Sequence, residues 1–376
     1  MRALHSSQRN YALDFLKCIA TIAIVFHHYQ QETGAMFRFN FCGGWFYWGY
    51  VVELFFLISG YVICRYVTVI YQGKMSLKQW TLKRTLRCIP MMAAGALAYE
   101  IFLYINNNVC GLSWSGITPT LWGTVIASLG LQANGFFANP WVNNPTWYIS
   151  VLFLCYVLFY LVTALARKWK VSPAYFYIGM VLLGCGIEAY GLNWLILEGQ
   201  LARGYRGFFF GLLLAMLIEK QGGKPSGKLC LLSGAALITV ALAYVFDKTL
   251  LENNVQYIVT FLVFPALIVM LETSAARRIF SSRIWGAWGK ASFDVYIFHI
   301  PLMILANVLF YAIGWSPDYS KVRYMLLFTL ATELVGIISH YCIEKPIARR
   351  VNGWLQRMEA QEAACKSDLE TLGGKP

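Results

Sequence analysis

The chain has 376 residues, 58% of them hydrophobic and only 13% charged, with a mean hydropathy of +0.54. Soluble domains carry about 25% charged residues, so the composition excludes a soluble enzyme and points to a polytopic membrane protein with no room for a large soluble domain. The formal net charge of +13 would suggest nucleic acid in a soluble chain. Here the basic residues sit in loops beside apolar spans, which argues against that partner and for membrane lipid.

A short basic lead (Arg2, Arg9) and an apolar run open the chain. No small-x-small cleavage site follows and the run holds Asp14 and Lys17, so it reads as a retained helix rather than a signal peptide. In residues 14–29, DFLKCIATIAIVFHHY, a rotation of about 100° per residue places Asp14, Lys17, Thr21, Ile24 and His28 on one face and turns His27 away. Ionisable side chains inside a membrane are costly, face the bundle interior and are functional candidates; a polar packing seam is the alternative.

Apolar runs of about 17–25 residues are long enough to cross a bilayer. They predict ten helices, over 12–29, 46–70, 88–106, 146–166, 174–191, 204–219, 229–246, 255–272, 291–313 and 321–343. The run 117–132 is short and interrupted by glycine, and reads as a re-entrant or interfacial helix. The expected fold is therefore all-α, a polytopic membrane helix bundle. Residues 1–346 form the membrane domain and 347–376 a cytoplasmic tail that begins as a helix.

In the second span, VVELFFLISGYVI places Glu53 at about the depth of His28 on the antiparallel first helix. A contact between them would raise the imidazole pKa and fix its tautomer, as a general base requires. Before the third span, SLKQWTLKRTLRCIP brings Lys83, Arg84 and Arg87 to helical spacings that share one face. Guanidinium forks match phosphate oxygens two at a time, so the trio suits a phosphorylated ligand; a basic anchor on anionic lipid is the other reading.

Segment 107–145 carries no charge and holds Trp114, Trp122 and Trp141, which suit either a bilayer interface or stacking on sugar rings. Further polar residues within spans are Glu100, Arg206, Asp294, His299, Glu333 and His340, with Pro301 just after His299 expected to kink its helix. The ten cysteines show no C-x-x-C and no metal-ligand spacing, so no metal site is expected. Cys42 and Cys110 fall in loops of one side, where they stand either paired or free. The N-terminus, the C-terminal tail and alternate loops hold 23 Lys and Arg against 5 on the other side. The positive-inside rule then places both termini in the cytoplasm.

Several of these motifs, in order, resemble the acyltransferase-3 superfamily of membrane enzymes that O-acetylate carbohydrates. They are Asp14, Lys17 and His28, with Lys17 where the family usually has Arg; Glu53, Phe55, Phe56, Ser59 and Gly60; and Lys83, Arg84, Arg87 and Pro90. Trp147, Tyr148 and Ser150 follow, with Val151 and Leu152 where many members have Glu. Then come Arg206, Phe208 and Gly211; Ser292, Tyr296 and His299; and Glu344 with Pro346. The resemblance implies an inner-membrane enzyme with acetyl-CoA as donor, no metal, and a glycan or its lipid-linked precursor as acceptor. It implies His28 with Glu53 as the catalytic pair, and Lys17, Lys83, Arg84 and Arg87 on the CoA phosphates. Trp147, Tyr148, Arg206 and His299 fall on the acceptor side. Direct transfer and an acetyl-histidine intermediate both stay open, as do O-antigen, capsule and exopolysaccharide as acceptors. A flippase for a lipid-linked sugar is the rival reading; it leaves the phosphate-type cluster without a purpose.

Overall fold

The computed structural model describes residues 10–35, 37, 48–114, 120–133, 135–137, 139–246, 249–252 and 254–373. It is an all-α polytopic bundle. Among the described residues, eight helices are long and apolar enough to cross a membrane, and two shorter apolar helices accompany them. In chain order, with one further short helix α4 (Leu121–Ser128), the elements are α1 (Tyr11–Thr33), α2 (Trp48–Tyr71), α3 (Leu77–Val109), α4, α5 (Asn144–Lys168), α6 (Pro173–Ala189), α7 (Gly199–Lys220), α8 (Gly227–Phe246), α9 (Val255–Leu271), α10 (Arg283–Ala312) and α11 (Val322–Ser339). A π-type turn over His340–Glu344 then leads into α12 (Lys345–Gly373). The two short helices are the spans expected at 174–191 and 255–272. The interfacial run contracts to α4, part of its expected range lying outside the described residues. Cys42 also lies outside them, and with it the question of its pairing to Cys110.

Local signals set the helix ends. Asn10 caps α1, its side chain accepting from the amides of Ala12 and Leu13. Its amide nitrogen donates to Glu272, which also pairs with Arg277, so the start of α1 is tied to the α9–α10 connection. Ser76 and Gln79 close a capping box at the start of α3. Trp80 is fully buried there and donates its indole N–H to the Tyr156 carbonyl at 2.7 Å, pinning the basic segment to α5. The α3 helix loosens at Leu86–Cys88 and resumes with Pro90 in its first turn, where the missing N–H has no cost.

The closest helix crossing is between α2 and α7. A Cβ at Gly60 would lie 1.8 Å from the Phe208 carbonyl oxygen, and one at Gly211 would lie 2.1 Å from that of Leu57. Small residues let backbones approach closely in membrane bundles. Around this crossing Phe56, Phe159, Tyr205, Phe208 and Phe209 form a fully buried aromatic core. The α10 helix packs against α1, α3 and α11. Its Pro301 has no N–H, which removes the helical partner of the Ile297 carbonyl. The side chain of Asn143, from the turn before α5, donates to that carbonyl at 2.9 Å. Asn143 is buried and takes φ 45°, a left-handed backbone that Asn tolerates. By contrast α8 buries only 6% of its apolar window within the chain, so its surface faces lipid.

The crossing makes a test. Gly60→Ala sets its methyl against backbone that cannot rotate away, and is expected to lose at least about 1–3 kcal/mol. Gly179→Ala, with no atom within 4 Å of its Cβ, is expected to be neutral. Thermal unfolding of the detergent-purified protein measures both.

Candidate active site

The ends of α1, α2, α3 and α10 gather with α12 around one cavity of about 660 Å³. Six of its lining side chains are cationic: Lys17, Arg65, Lys83, Arg84, Arg87 and Lys290. One, Glu344, is acidic. The cavity thus brings the four basic residues expected from the sequence to one place. Sequence reasoning missed Arg65 and Lys290. The first lies toward the basic end of the second span; the second was counted among loop anchors, and only tertiary packing turns it inward.

The cations are held in different ways. The Arg84 guanidinium lies 4.4 Å from the Tyr66 ring centroid and 4.6 Å from that of Trp80, and its Nε is buried without a hydrogen-bond partner. Arg65 approaches the same Tyr66 ring at 5.0 Å. Arg87 donates to Glu344 Oε1 from Nη2 at 3.2 Å and Nε at 3.4 Å. Lys17 lies 3.6 Å from the buried Asp14. Behind Glu344, His340 bonds the same carboxylate and stands 3.5 Å from Asp294, whose other oxygen accepts from Ser339 at 2.8 Å. Ligand-type atoms of Asp294, His340 and Glu344 lie within 4.8 Å of one another, a grouping made by the fold between residues that show no metal spacing in sequence.

The cavity is also lined by Phe55, Ser59, Tyr148 and Tyr296. The hydroxyls of Ser59 and Tyr148 are 3.1 Å apart, and Tyr296 donates to the Pro145 carbonyl at 2.5 Å. His299 and His28 do not line the cavity; the ring of His299 lies 5.8 Å from that of Tyr296, and the ring of His28 lies 4.9 Å from that of His299. His299 is fully buried, with Nδ1 2.8 Å from the Tyr296 carbonyl oxygen. A carbonyl only accepts, so Nδ1 carries the proton and Nε2 is left as an acceptor; that Nε2 has no partner. His28 Nδ1 faces the Gln31 carboxamide oxygen at 3.0 Å, which fixes the same tautomer.

Three expected placements differ. Glu53 does not support His28: both its oxygens are taken by Arg203, at 2.6 and 2.7 Å, and Gln31 occupies the place beside the imidazole. A carboxylate with no exposure requires a full cation, and a neutral imidazole is too weak a partner. Arg203, counted among loop charges, is drawn into the bundle and also covers the Trp147 ring at 5.1 Å. Arg206 turns away from the cavity, pairing with Glu188 on α6 and lying 4.8 Å from the Tyr257 ring. His27, off the His28 face, is also buried, its ring 4.9 Å from that of His28. Tyr148 lines the cavity, while its neighbour Trp147 packs behind it on Phe56.

The architecture is that of a membrane-embedded bundle with a basic cavity, one of whose lining rings, Tyr296, contacts a buried imidazole. The chain belongs to the acyltransferase-3 family, described as an acyltransferase domain, which matches residues 10–341. It is similar to proteins named O-acetyltransferase OatA from Staphylococcus aureus strains NCTC 8325, COL and MRSA252. Each is 24% identical over 372 residues, covering 90% of this chain and 57% of the relative. The chain thus spans little more than half the length of the curated relatives it matches. No solved structure matches it.

The Glu53–Arg203 pair yields a prediction. Arg203→Met leaves a buried carboxylate uncompensated and is expected to cost about 3–5 kcal/mol. The double variant Glu53→Gln, Arg203→Met is expected to recover much of that loss, read by thermal unfolding in detergent.

Proposed function

We propose that this protein is a membrane O-acetyltransferase. It takes an acetyl group from acetyl-CoA, bound at the basic face in the cytosol, and passes it to a hydroxyl of a cell-surface glycan or its lipid-linked precursor. The observation that carries this reading is the basic cavity lined also by Ser59, Tyr148 and Tyr296, with Tyr296 in ring contact with His299 and His299 with His28, two imidazoles whose Nδ1 atoms are already bonded. Family membership and the printed names of the relatives support it. The positive-inside bias supports the cytosolic placement of that face, and hence an inner-membrane location with both termini cytoplasmic.

In this reading Arg84, Arg87, Lys83 and Lys17 hold the CoA phosphates, and the pantetheine arm extends past the hydroxyls of Ser59 and Tyr148. The acceptor oxygen attacks the thioester carbonyl while Nε2 of His28 takes its proton. The tetrahedral adduct collapses, the C–S bond breaks, and the CoA thiolate recovers the proton from His28. The products are the acetyl ester and CoA thiol, with no net proton released. Gln31 keeps Nδ1–H of His28 engaged, so Nε2 stays the acceptor throughout. His299 offers a second acceptor to position the incoming hydroxyl. Glu53 acts at a distance, through Arg203 and Trp147, by fixing the wall that carries Tyr148. The neutral Trp-bearing segment 107–145 suits a carbohydrate approaching from the opposite face.

Membranes incubated with labelled acetyl-CoA are expected to pass label into a glycan; no transfer to any glycan of the producing cell overturns the reading. His28→Ala is expected to lower transfer at least about 100-fold with acetyl-CoA binding retained. His27→Ala is expected to give a smaller loss, through its contact with the His28 ring. Arg84→Ala is expected to weaken donor binding more than Arg87→Ala, because Arg87 already shares its charge with Glu344. Binding by calorimetry and transfer by label counting separate these outcomes.

A further inference from the structure

The α12 helix carries Lys345, Arg349, Arg350 and Arg357, yet none of them lines the basic cavity. The residues α12 presents there are Asn352, Leu355 and Gln356, spaced so that they share one face of the helix. Leu355 is only 6% exposed, while Asn352 and Gln356 stay open to solvent. Over 345–357 the helix therefore turns uncharged side chains, rather than its four cations, toward a pocket lined by six cations. Phosphate recognition would call for the reverse.

Exposure grades the lining groups. Asn352 and Gln356 are open to solvent, as are Arg65, Arg87 and Lys290, whereas Tyr148 and Tyr296 are buried. A carboxamide offers a donor and an acceptor side by side, the pattern that pairs with the amino group and ring nitrogen on an adenine edge. In coenzyme A the adenine and phosphates form one polar end and the thioester the other, so the open amides and cations suit the first and the buried rings the second.

We propose that α12 is the nucleobase-reading wall of the donor site, with Asn352 and Gln356 hydrogen-bonding a purine base against Leu355. This rests on the donor reading above and extends it. The base is recognised by neutral hydrogen bonds from α12, and the phosphates by the neighbouring cations.

The full chain, purified in detergent, is titrated with adenosine 3′,5′-bisphosphate, its guanosine counterpart and phosphopantetheine. Wild type is expected to bind the adenosine bisphosphate more tightly than the guanosine one. Asn352→Ala and Gln356→Ala are each expected to weaken the adenosine ligand about fivefold to tenfold, the size of one neutral hydrogen bond, and to leave phosphopantetheine unchanged. Gln356→Lys separates the two chemistries, because a phosphate-facing position would bind more tightly with an added cation and a base-facing one more weakly. Equal weakening of phosphopantetheine, unchanged adenosine binding in both alanine variants, or tighter binding in Gln356→Lys overturns the proposal while the donor reading stands. Failure of wild type to bind acetyl-CoA or either bisphosphate overturns both.

Discussion

Glu53 and Arg203 are two charges removed from water inside an apolar bundle, and they stand only because each completes the other. The bidentate geometry satisfies both carboxylate oxygens, which is the condition under which a buried pair can hold. The pair sits where α2 meets α7, so charge matching and glycine-mediated backbone contact select the same crossing. Arg203 also covers Trp147, and the next residue, Tyr148, faces the cavity. One ion pair thereby sets the relation of three helices and the place of Tyr148 in the cavity wall.

Within that frame the lining groups divide by burial. Cations stay near the basic face, where water and salt limit the cost of bringing them together. The buried lining groups are hydroxyls and aromatic rings, which need hydrogen bonds but no counter-charge. The separation of charged from uncharged lining groups is thus a result of desolvation, and it follows from which residue types can survive burial.

Much of this was legible from the chain alone. Hydropathy located the apolar helices of membrane-spanning length, because the bilayer imposes a length that few apolar runs meet by chance. Helical spacing put Lys83, Arg84 and Arg87 together. What the sequence hid were partner choices. A common depth expected for Glu53 and His28 does not say which neighbour rotates inward, and Arg203 on α7 was a stronger partner than an imidazole. Arg206 lies three residues along the same helix, almost one turn, yet serves the opposite contact with α6. The convergence of Asp294, His340 and Glu344 depends on a π-type turn that shifts helical phase, a feature with no local composition to announce it. Arg65 and Lys290 became visible only once four helix ends met.

The bond between Asn143 and the carbonyl freed by Pro301 joins positions 154 residues apart. Without the proline that carbonyl would be claimed by its own helix, and the asparagine amide would lose its mate. Without the asparagine the carbonyl would stand bare in a nonpolar setting. Neither residue can drift alone at low cost, so descendants of this chain should inherit the two as a unit, coupling the history of a loop to that of the helix bearing His299.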